Sequence, residues 1–387
     1  MNSEQGHASM KILFHIRSLH IGGSERQVVS LAKSMAALGA EVHVATTMSG
    51  GPLERDLADV PNVQLHSLEG SGLTGKFRYL FQLRSFIKSN RFDAVYGYLP
   101  TPNLALLVAR TIRQRPLIAW GVRSSGLDLS QYSSRVKWAI RLEKALSGLS
   151  DRIITNSQAA LDEYRQKGYP HSKLTHIPNA IDVDRFKPDP DARRSVRAEL
   201  GISDGTPLVG LFARIHPMKD HLTFLRAARI LIENTPATRF ICAGGSAADY
   251  ETYEQRIRAN ATELGLDENV LWLGARNDPE KLMAACDITT LTSSSGEGFP
   301  NSVAESMACG TPCVVTDVGD AKSIVSGHAP VVPRSSPEEL ARAWLSVLDH
   351  TVVKRGEFDV AVRQSMIDRY SPVAIAEETL NALGRSV

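Results

Sequence analysis

The chain is 387 residues long, with 43% hydrophobic and 22% charged residues and a formal net charge of +2. That length favours two domains and that balance is ordinary for a globular protein, and no apolar run approaches the ~20 residues of a membrane span. The small net charge hides an asymmetry: residues 1–185 hold 23 Lys and Arg against 15 Asp and Glu, and the remainder 21 against 27. A basic first half suits an anionic partner such as a membrane surface, a phosphorylated acceptor or a nucleic acid, and no nucleic-acid motif accompanies the charge to support the last.

Residues 1–9 are polar, lack the basic-then-apolar order of a signal peptide, and read as a loose leader before Met10. Lys11 to Ile16 is an apolar strand followed by Gly22-Gly23-Ser24-Glu25 and a helix with Val28, Val29, Leu31, Ala32 and Met35 at its apolar positions. With the strand Glu41 to Thr46 this is the opening of a doubly wound α/β domain. The turn is not GxGxxG; its paired glycines fit either a tight turn or a close backbone approach to a ligand.

A strand at Val63 to Leu68 precedes a helix from about Phe77 to Ser89 bearing Phe77, Leu80, Phe81, Arg84, Ile87 and Lys88. Basic and aromatic residues together can seat a helix on an anionic membrane interface, although a half-buried surface helix with a basic edge reads the same way and is preferred. Next come the strand Ala94 to Tyr98, a helix at Thr101 to Thr111, the strand Leu117 to Val122, a helix at Ser134 to Leu146, the strand Arg152 to Asn156 and a helix after Ser157. Arg123 stands just past a strand's carboxyl end, where open α/β sheets place ligand contacts; an anion or acceptor contact and a plain surface arginine both fit. Pro188-Asp-Pro-Asp191 marks a domain boundary, giving domains over 10–185 and 186–370, with 371–387 a helix that can cross back to the first. Asp182 and Asp184 read as solvated linker carboxylates rather than metal ligands.

The second half repeats the rhythm: the strand Leu208 to Ala213, a helix from about Leu222 to Glu233, the strand Arg239 to Ala243 with Gly244-Gly245 after it, a helix over Tyr250 to Leu264, and the strand Val270 to Leu273. A helix at Pro279 to Ala285, the strands Ile288 to Leu291 and Cys313 to Thr316, and helices over Pro337 to Leu348 and at the C-terminus complete it. Arg214 and Lys219 share one strand-to-helix loop, and two fixed cations at a strand end suit a diphosphate. The four cysteines, Cys242, Cys286, Cys309 and Cys313, form no CxxC pair and point to a reduced, cytoplasmic chain with packing roles for the thiols.

Residues 297 to 310, Glu-Gly-Phe-Pro-Asn-Ser-Val-Ala-Glu-Ser-Met-Ala-Cys-Gly, concentrate the chemistry. Pro300 and Asn301 suit a helix start and Gly310 its stop, so the positive end of a short helix lies at about Asn301 to Val303. Glu297 and Glu305 flank that end, where carboxylates can accept hydrogen bonds from sugar hydroxyls while backbone N–H groups hold a phosphate. A loop charge and a first-turn dipole partner describe the same pair without a ligand.

These segments in order resemble the retaining glycosyltransferases of family 4. The resemblance rests on Gly22-Gly23-Ser-Glu25, Ile177-Pro-Asn-Ala-Ile-Asp182, Arg214 with Lys219-Asp220, Leu273-Gly274, Glu297 through Glu305, and Ala308-Cys-Gly-Thr-Pro312. It implies a GT-B fold, two Rossmann-like doubly wound domains facing a central cleft, with a nucleotide-sugar donor as co-substrate and no metal. It further implies that Arg214 and Lys219 hold the donor diphosphate, that Glu297 contacts the transferred sugar, and that Glu305 contacts the ribose. The backbone from Gly298 and Phe299 through Pro300, Asn301, Ser302 and Val303 would complete the cradle. Gly274 and Arg276 would border the base, and Gly22 and Gly23 would approach the donor phosphate.

Two departures stand out. Arg123, in Trp120-Gly-Val-Arg-Ser124, occupies roughly the place where many members carry a histidine near the transferred sugar, and an acceptor phosphate is an alternative partner for it. Asp320 stands where a second glycine is common. With Glu297, Arg214, Lys219 and Arg123 as the catalytic set, the expectation is a retaining transfer of a hexose or N-acetylhexosamine from a UDP-sugar. The acceptor expected is a polyprenyl-diphosphate-linked saccharide, met by a cytoplasmic chain at the inner face of a membrane as in polysaccharide or surface glycan synthesis, with a small soluble saccharide as the alternative. A nucleotide-sugar epimerase and a non-catalytic nucleotide-sugar binder are the readings from other classes.

Overall fold

Two parallel sheets, one in each of two units, carry the strands of the described residues in this computed structural model. The structure describes residues 10–20, 22–68, 72–123, 125–126, 134–246 and 250–384. The expected leader and the side chains of Lys76 and Phe77 lie outside the described residues.

The first unit comprises the chain through Ala180 together with the segment from Tyr370 onward. Its strands are β1 (Lys11–Ile16), β2 (Glu41–Thr46), β3 (Val63–Ser67), β4 (Ala94–Tyr98), β5 (Leu117–Val122), β6 (Arg152–Thr155) and β7 (Leu174–His176), in the order β3-β2-β1-β4-β5-β6-β7. β4 and β5 are buried along their whole length, as strands covered by helices on both faces must be. The helix Gly23–Ala37 covers one face and packs on the C-terminal helix Pro372–Leu383, whose Ile375, Ala376, Leu380 and Leu383 share a core with Val28, Leu31 and Met35. The helices Gly72–Asn90, Pro100–Ala105 and Gln158–Gln166 pack on the other face, around Trp120, Leu83, Ile87, Leu106 and Leu161.

The second unit, Ile181–Arg369, holds β8 (Leu208–Phe212), β9 (Arg239–Ala243), β10 (Val270–Gly274), β11 (Ile288–Leu291), β12 (Cys313–Thr316) and β13 (Val331–Val332), in the order β10-β9-β8-β11-β12-β13. Phe224, Phe240 and Trp344 form a three-ring cluster at the centre of its core, and the Trp344 indole N–H donates to Thr290 Oγ1 at 2.9 Å. The four cysteines are buried, and burial pushes the Cys242 and Cys313 thiols up to about 12, so all serve packing.

Several expected elements need correction. Residues 188–191, expected as linker, instead begin the helix Pro190–Glu199: Pro190 takes the first helical position, and the Asp189 carboxylate accepts from the amides of Asp191 (3.1 Å) and Ala192 (2.8 Å). The helix expected to stop at Leu348 runs from Pro337 to Tyr370, because buried Val362, Met366 and Tyr370 resume the four-residue spacing. The helix expected over Thr101 to Thr111 is α-helical over Pro100–Ala105 and then tightens into a 3-10 turn over Leu106–Thr111. β7, β13 and the helix Ala321–Val325 were too short to carry a periodic signal.

One buried polar knot ties the middle of the first sheet. A Cβ at Gly97 would lie 2.5 Å from Asn103 Oδ1, so its absence admits Asn103, and one at Gly121 would lie 2.8 Å from the Gly97 carbonyl. The Asn103 amide donates to the Gly121 carbonyl (3.1 Å) and to Glu143 Oε1 (2.6 Å). Desolvation pushes the Glu143 carboxyl up to about 7, against the opposing pull of the Asn103 hydrogen bond. Because the folded value exceeds the unfolded one, this contribution to stability is full at low pH and is lost as pH rises from about 4.5 through 7. Gln at this position keeps an acceptor for Asn103 and cannot ionise. The unfolding free energy of Glu143→Gln, measured against wild type by urea titration, should therefore gain about 3 kcal/mol between pH 4 and pH 8.

Candidate active site

In an open parallel sheet, the strand order reverses at one point, and the loops leaving the two strands there diverge to leave a crevice at their carboxyl ends. In the second unit that point lies between β8 and β11, which pair from Ile288 opposite Val209 to Thr290 opposite Leu211. The loop after β8 is Ala213 to Asp220, and the loop after β11 is Thr292 to Pro300.

These two loops are stitched together. Thr292 Oγ1 donates to the Lys219 carbonyl (2.7 Å), and the Ser294 amide donates to the Met218 carbonyl (2.8 Å). Asp220 adopts a left-handed conformation (φ 45°, ψ 54°), unusual without glycine, and its carboxylate caps the helix His221–Asn234 by accepting from the Thr223 amide (3.2 Å) and hydroxyl (2.7 Å). The bend turns Lys219 to Glu297, and the two form an ion pair. Glu297 is 7% exposed and also accepts from Ser293 Oγ at 2.6 Å.

The loops also depend on glycines that admit other backbone. A Cβ at Gly244 (φ 151°) would lie 2.1 Å from the Ala213 carbonyl oxygen, and one at Gly319 (φ 54°) would lie 2.5 Å from that of Gly298 and 2.6 Å from that of Glu297. The Asp320 amide then donates to the Gly298 carbonyl at 2.9 Å.

The helix Asn301–Ala308 follows. Val303, Ala304 and Met307 are buried, and Ser306 links the helix to β11 through Thr289. Its N-cap residue, Pro300, has no side-chain acceptor to offer the first-turn amides, and the positive end of the helix dipole lies there. At its other end the Arg363 guanidinium donates to the Ala308 carbonyl (2.8 Å), a cation where the dipole is negative. Glu305 is half-buried on this helix, and Asn301 and Ser302 are half-buried in its first turn.

Arg214 is exposed at the start of the β8 loop. Burial, then the charges of Arg214 and Lys219, hold the His216 imidazole below its usual value, so the loop is a region of positive potential with a neutral histidine at its centre. Arg276 follows Gly274, which is left-handed (φ 62°), and its guanidinium is engaged by Asp278 (2.8 Å from both Nε and Nη2) and by Glu199 (2.8 Å). The structure thus brings together Lys219, Glu297, Gly298 and the start of the helix Asn301–Ala308, and it commits Arg276 to two carboxylates.

The remaining expected site residues belong to the first unit. Gly22 is the N-cap residue of the helix Gly23–Ala37. Gln27 of this helix reads the backbone of Ala180 in both directions at 2.8 Å, which accounts for part of the Pro-Asn-Ala motif. Arg123 leaves β5, donates to the Tyr96 and Tyr98 hydroxyls (2.7 and 2.6 Å) and to Asn179 Oδ1 (3.2 Å), and stacks 4.3 Å from the Tyr98 ring. It has no carboxylate partner among the described residues. Nothing in the sequence pairs Ser293 with Glu297, or Tyr96, Tyr98 and Asn179 with Arg123; only the fold brings them together.

Residues 192–363 match the family described as Glycosyl transferases group 1, and residues 21–185 match Glycosyltransferase Family 4. The chain is 26% identical over 316 residues to the GDP-mannose-dependent monoacylated alpha-(1-6)-phosphatidylinositol monomannoside mannosyltransferase of Corynebacterium glutamicum, covering 74% of this chain and 81% of the relative. It is 29% identical over 255 residues to the UDP-Gal:alpha-D-GlcNAc-diphosphoundecaprenol alpha-1,3-galactosyltransferase of Escherichia coli, covering 64% of each. Among solved structures it is similar to Anabaena Alr3699/HepE in complex with UDP and glucose, at TM-score 0.83 and 24% identity over 97% of this chain and 99% of that one.

The close approach at Gly319 gives a direct test of the stitched loops. Gly319→Ala should cost about 1–3 kcal/mol of stability, since it clashes with backbone, and should lower donor turnover at least about tenfold by moving Glu297. Gly327→Ala, left-handed at φ 81° with nothing within 4 Å of the added Cβ, should cost only about 1 kcal/mol and leave turnover intact.

Proposed function

Because this chain belongs to the family 4 glycosyltransferases, whose group 1 domain forms its second half, it is an enzyme that transfers a sugar, and we propose that it moves a hexose or N-acetylhexosamine from a UDP-sugar with retention. The observation that carries this reading is the Lys219–Glu297 pair beside the start of the helix Asn301–Ala308 at the β8/β11 switch point. A lysine ammonium has three donors, so Lys219 can keep Glu297 and still donate to a diphosphate oxygen. Arg214 and the amides at the helix start would share the charge that develops as the anomeric C–O bond breaks, the role a metal plays elsewhere.

In the proposed step the acceptor oxygen bonds to the anomeric carbon on the face from which the diphosphate departs, and the acceptor's proton passes to the departing phosphate oxygen. Glu297 orients the sugar hydroxyls and forms no covalent intermediate. Glu305 takes the ribose. UDP is favoured over GDP because it appears in the names of the E. coli relative and the Anabaena structure, while the corynebacterial relative is named for GDP-mannose.

For the acceptor we propose a saccharide on a polyprenyl diphosphate, met at the inner face of a membrane. Both curated relatives described above are named for lipid-borne acceptors, the first half of this chain is basic, and Arg123 offers a guanidinium that has no carboxylate partner among the described residues.

The test is turnover of UDP-, GDP- and ADP-sugars with lipid extract, read by mass spectrometry, with the new anomeric centre assigned by NMR. The expected product is a lipid one sugar heavier, with the donor's configuration kept and no effect of a chelator. Glu297→Ala and Lys219→Ala should each lower kcat by about 10²–10³. Arg123→Ala should raise KM for a phosphorylated acceptor and spare donor hydrolysis. Epimerised donor in the absence of acceptor would overturn the transfer reading.

A further inference from the structure

The helix Ser134–Leu146 turns a carboxylate inward and an apolar ridge outward. An amphipathic helix on a globular domain turns its apolar stripe to the core and its charges to water. Here the carboxylate of Glu143 is buried at 1% exposure and bonded to Asn103, while Trp138 and Leu142 are 67% and 49% exposed. At about 100° per residue, Trp138, Leu142 and Ala145 fall within an arc of about 60° on the outward face.

Positive side chains flank that ridge. Arg135 borders it on one side, and Arg141 and Lys144, both exposed, border it on the other; the Arg141 guanidinium lies 5.6 Å from the Trp138 ring. The helix's one acidic residue is the buried Glu143, so every charge it presents outward is a cation. A second exposed aromatic, Phe81 at 73%, stands on the helix Gly72–Asn90. That helix packs through Leu83 and Ile87 on the same core as Leu146, and so lies on the same face of the sheet.

We propose that this face of the first unit docks on a bilayer containing anionic lipid, with Trp138 and Leu142 entering the headgroup–acyl boundary and Arg135, Arg141 and Lys144 meeting headgroup phosphates. The apolar ridge selects a lipid surface over a soluble anion: cations alone serve either, but an outward indole and leucine gain only where there is hydrocarbon to enter. The row of cations selects anionic over neutral lipid. The helix is held at its inner side by Glu143 and Asn103, so the ridge is presented by a fixed element rather than ordered on contact. This deepens the membrane-located acceptor proposed above and rests on it for its biological meaning.

The experiment uses the full chain and needs neither donor nor acceptor. Vesicles of phosphatidylcholine, with and without phosphatidylglycerol, are mixed with protein and sedimented, and tryptophan emission is recorded with and without brominated lipid. The expected result is binding to phosphatidylglycerol vesicles that weakens with salt, a blue shift, and quenching by bromolipid that Trp138→Phe abolishes. Trp138→Ser with Leu142→Ser should lower partitioning at least about tenfold while leaving the thermal midpoint and nucleotide affinity unchanged, and Arg141→Glu with Lys144→Glu should remove the salt dependence. Wild-type binding by the serine variant, or no quenching by bromolipid, would overturn the proposal. Equal binding to a single-stranded nucleic acid without a blue shift would overturn it in favour of a polyanion site. A chain that binds vesicles but turns over no donor counts against the transfer reading alone.

Discussion

A carboxylate that is nine-tenths removed from water needs fixed partners, and those of Glu297 include the Lys219 ammonium and the Ser293 hydroxyl. Much of the second unit's architecture follows from meeting that requirement. β8 and β11 must be neighbours so that their following loops run side by side. Asp220 must bend into a left-handed conformation to turn Lys219 inward. Gly244 and Gly319 must lack side chains so that the β9 and β12 loops can press against the two loops from behind. The helix Asn301–Ala308 then starts directly from the Glu297 loop, and Arg363 secures its far end.

The first unit solves a related problem by a different means. Its switch point lies between β1 and β4, and Leu99, directly after β4, holds an unfavourable φ of 75° while its amide donates to the Gly121 carbonyl. Around it, Asn103 ties β5 to Glu143, and the Tyr96 and Tyr98 hydroxyls fix Arg123. Burial raises both tyrosines, so they remain neutral hydroxyls and cannot neutralise the guanidinium. The sheet thus presents at its carboxyl edge a positive group that the two hydroxyls position. Glu143 connects this edge to the helix Ser134–Leu146, so one buried carboxyl serves both the sheet and the surface.

Most strands were legible in the sequence because buried parallel strands are short, continuous apolar runs bounded by glycine or polar residues, as β1, β4, β5 and β11 are. β7 and β13, of three and two residues, carry too little sequence to show a period. Pro190 was misleading for a local reason: proline in a polar run signals a turn, yet after Asp189 it is the first residue of a helix. Of the candidate site, Lys219, Glu297 and the helix start, which the fold brings together, were legible because they sit in strand-to-helix loops whose position the α/β rhythm dictates. Ser293, Tyr96, Tyr98 and Asn179 were not, since nothing in their own neighbourhood distinguishes a hydroxyl or amide that will meet an ion from one that will meet water. Arg276 was identified as a residue of interest, but its bidentate hold on Asp278 and its bond to Glu199 could come only from the fold.

The central claim is that Lys219, held by Glu297, reads the donor's second phosphate. Titration calorimetry with the nucleoside diphosphate and monophosphate of the donor's base tests it most directly. The wild type should favour the diphosphate by about 10- to 100-fold, the worth of a charge-assisted contact, and Lys219→Met should bring that ratio close to one with monophosphate affinity unchanged. An undiminished ratio in the variant would contradict the account and move the diphosphate site away from the β8/β11 switch point.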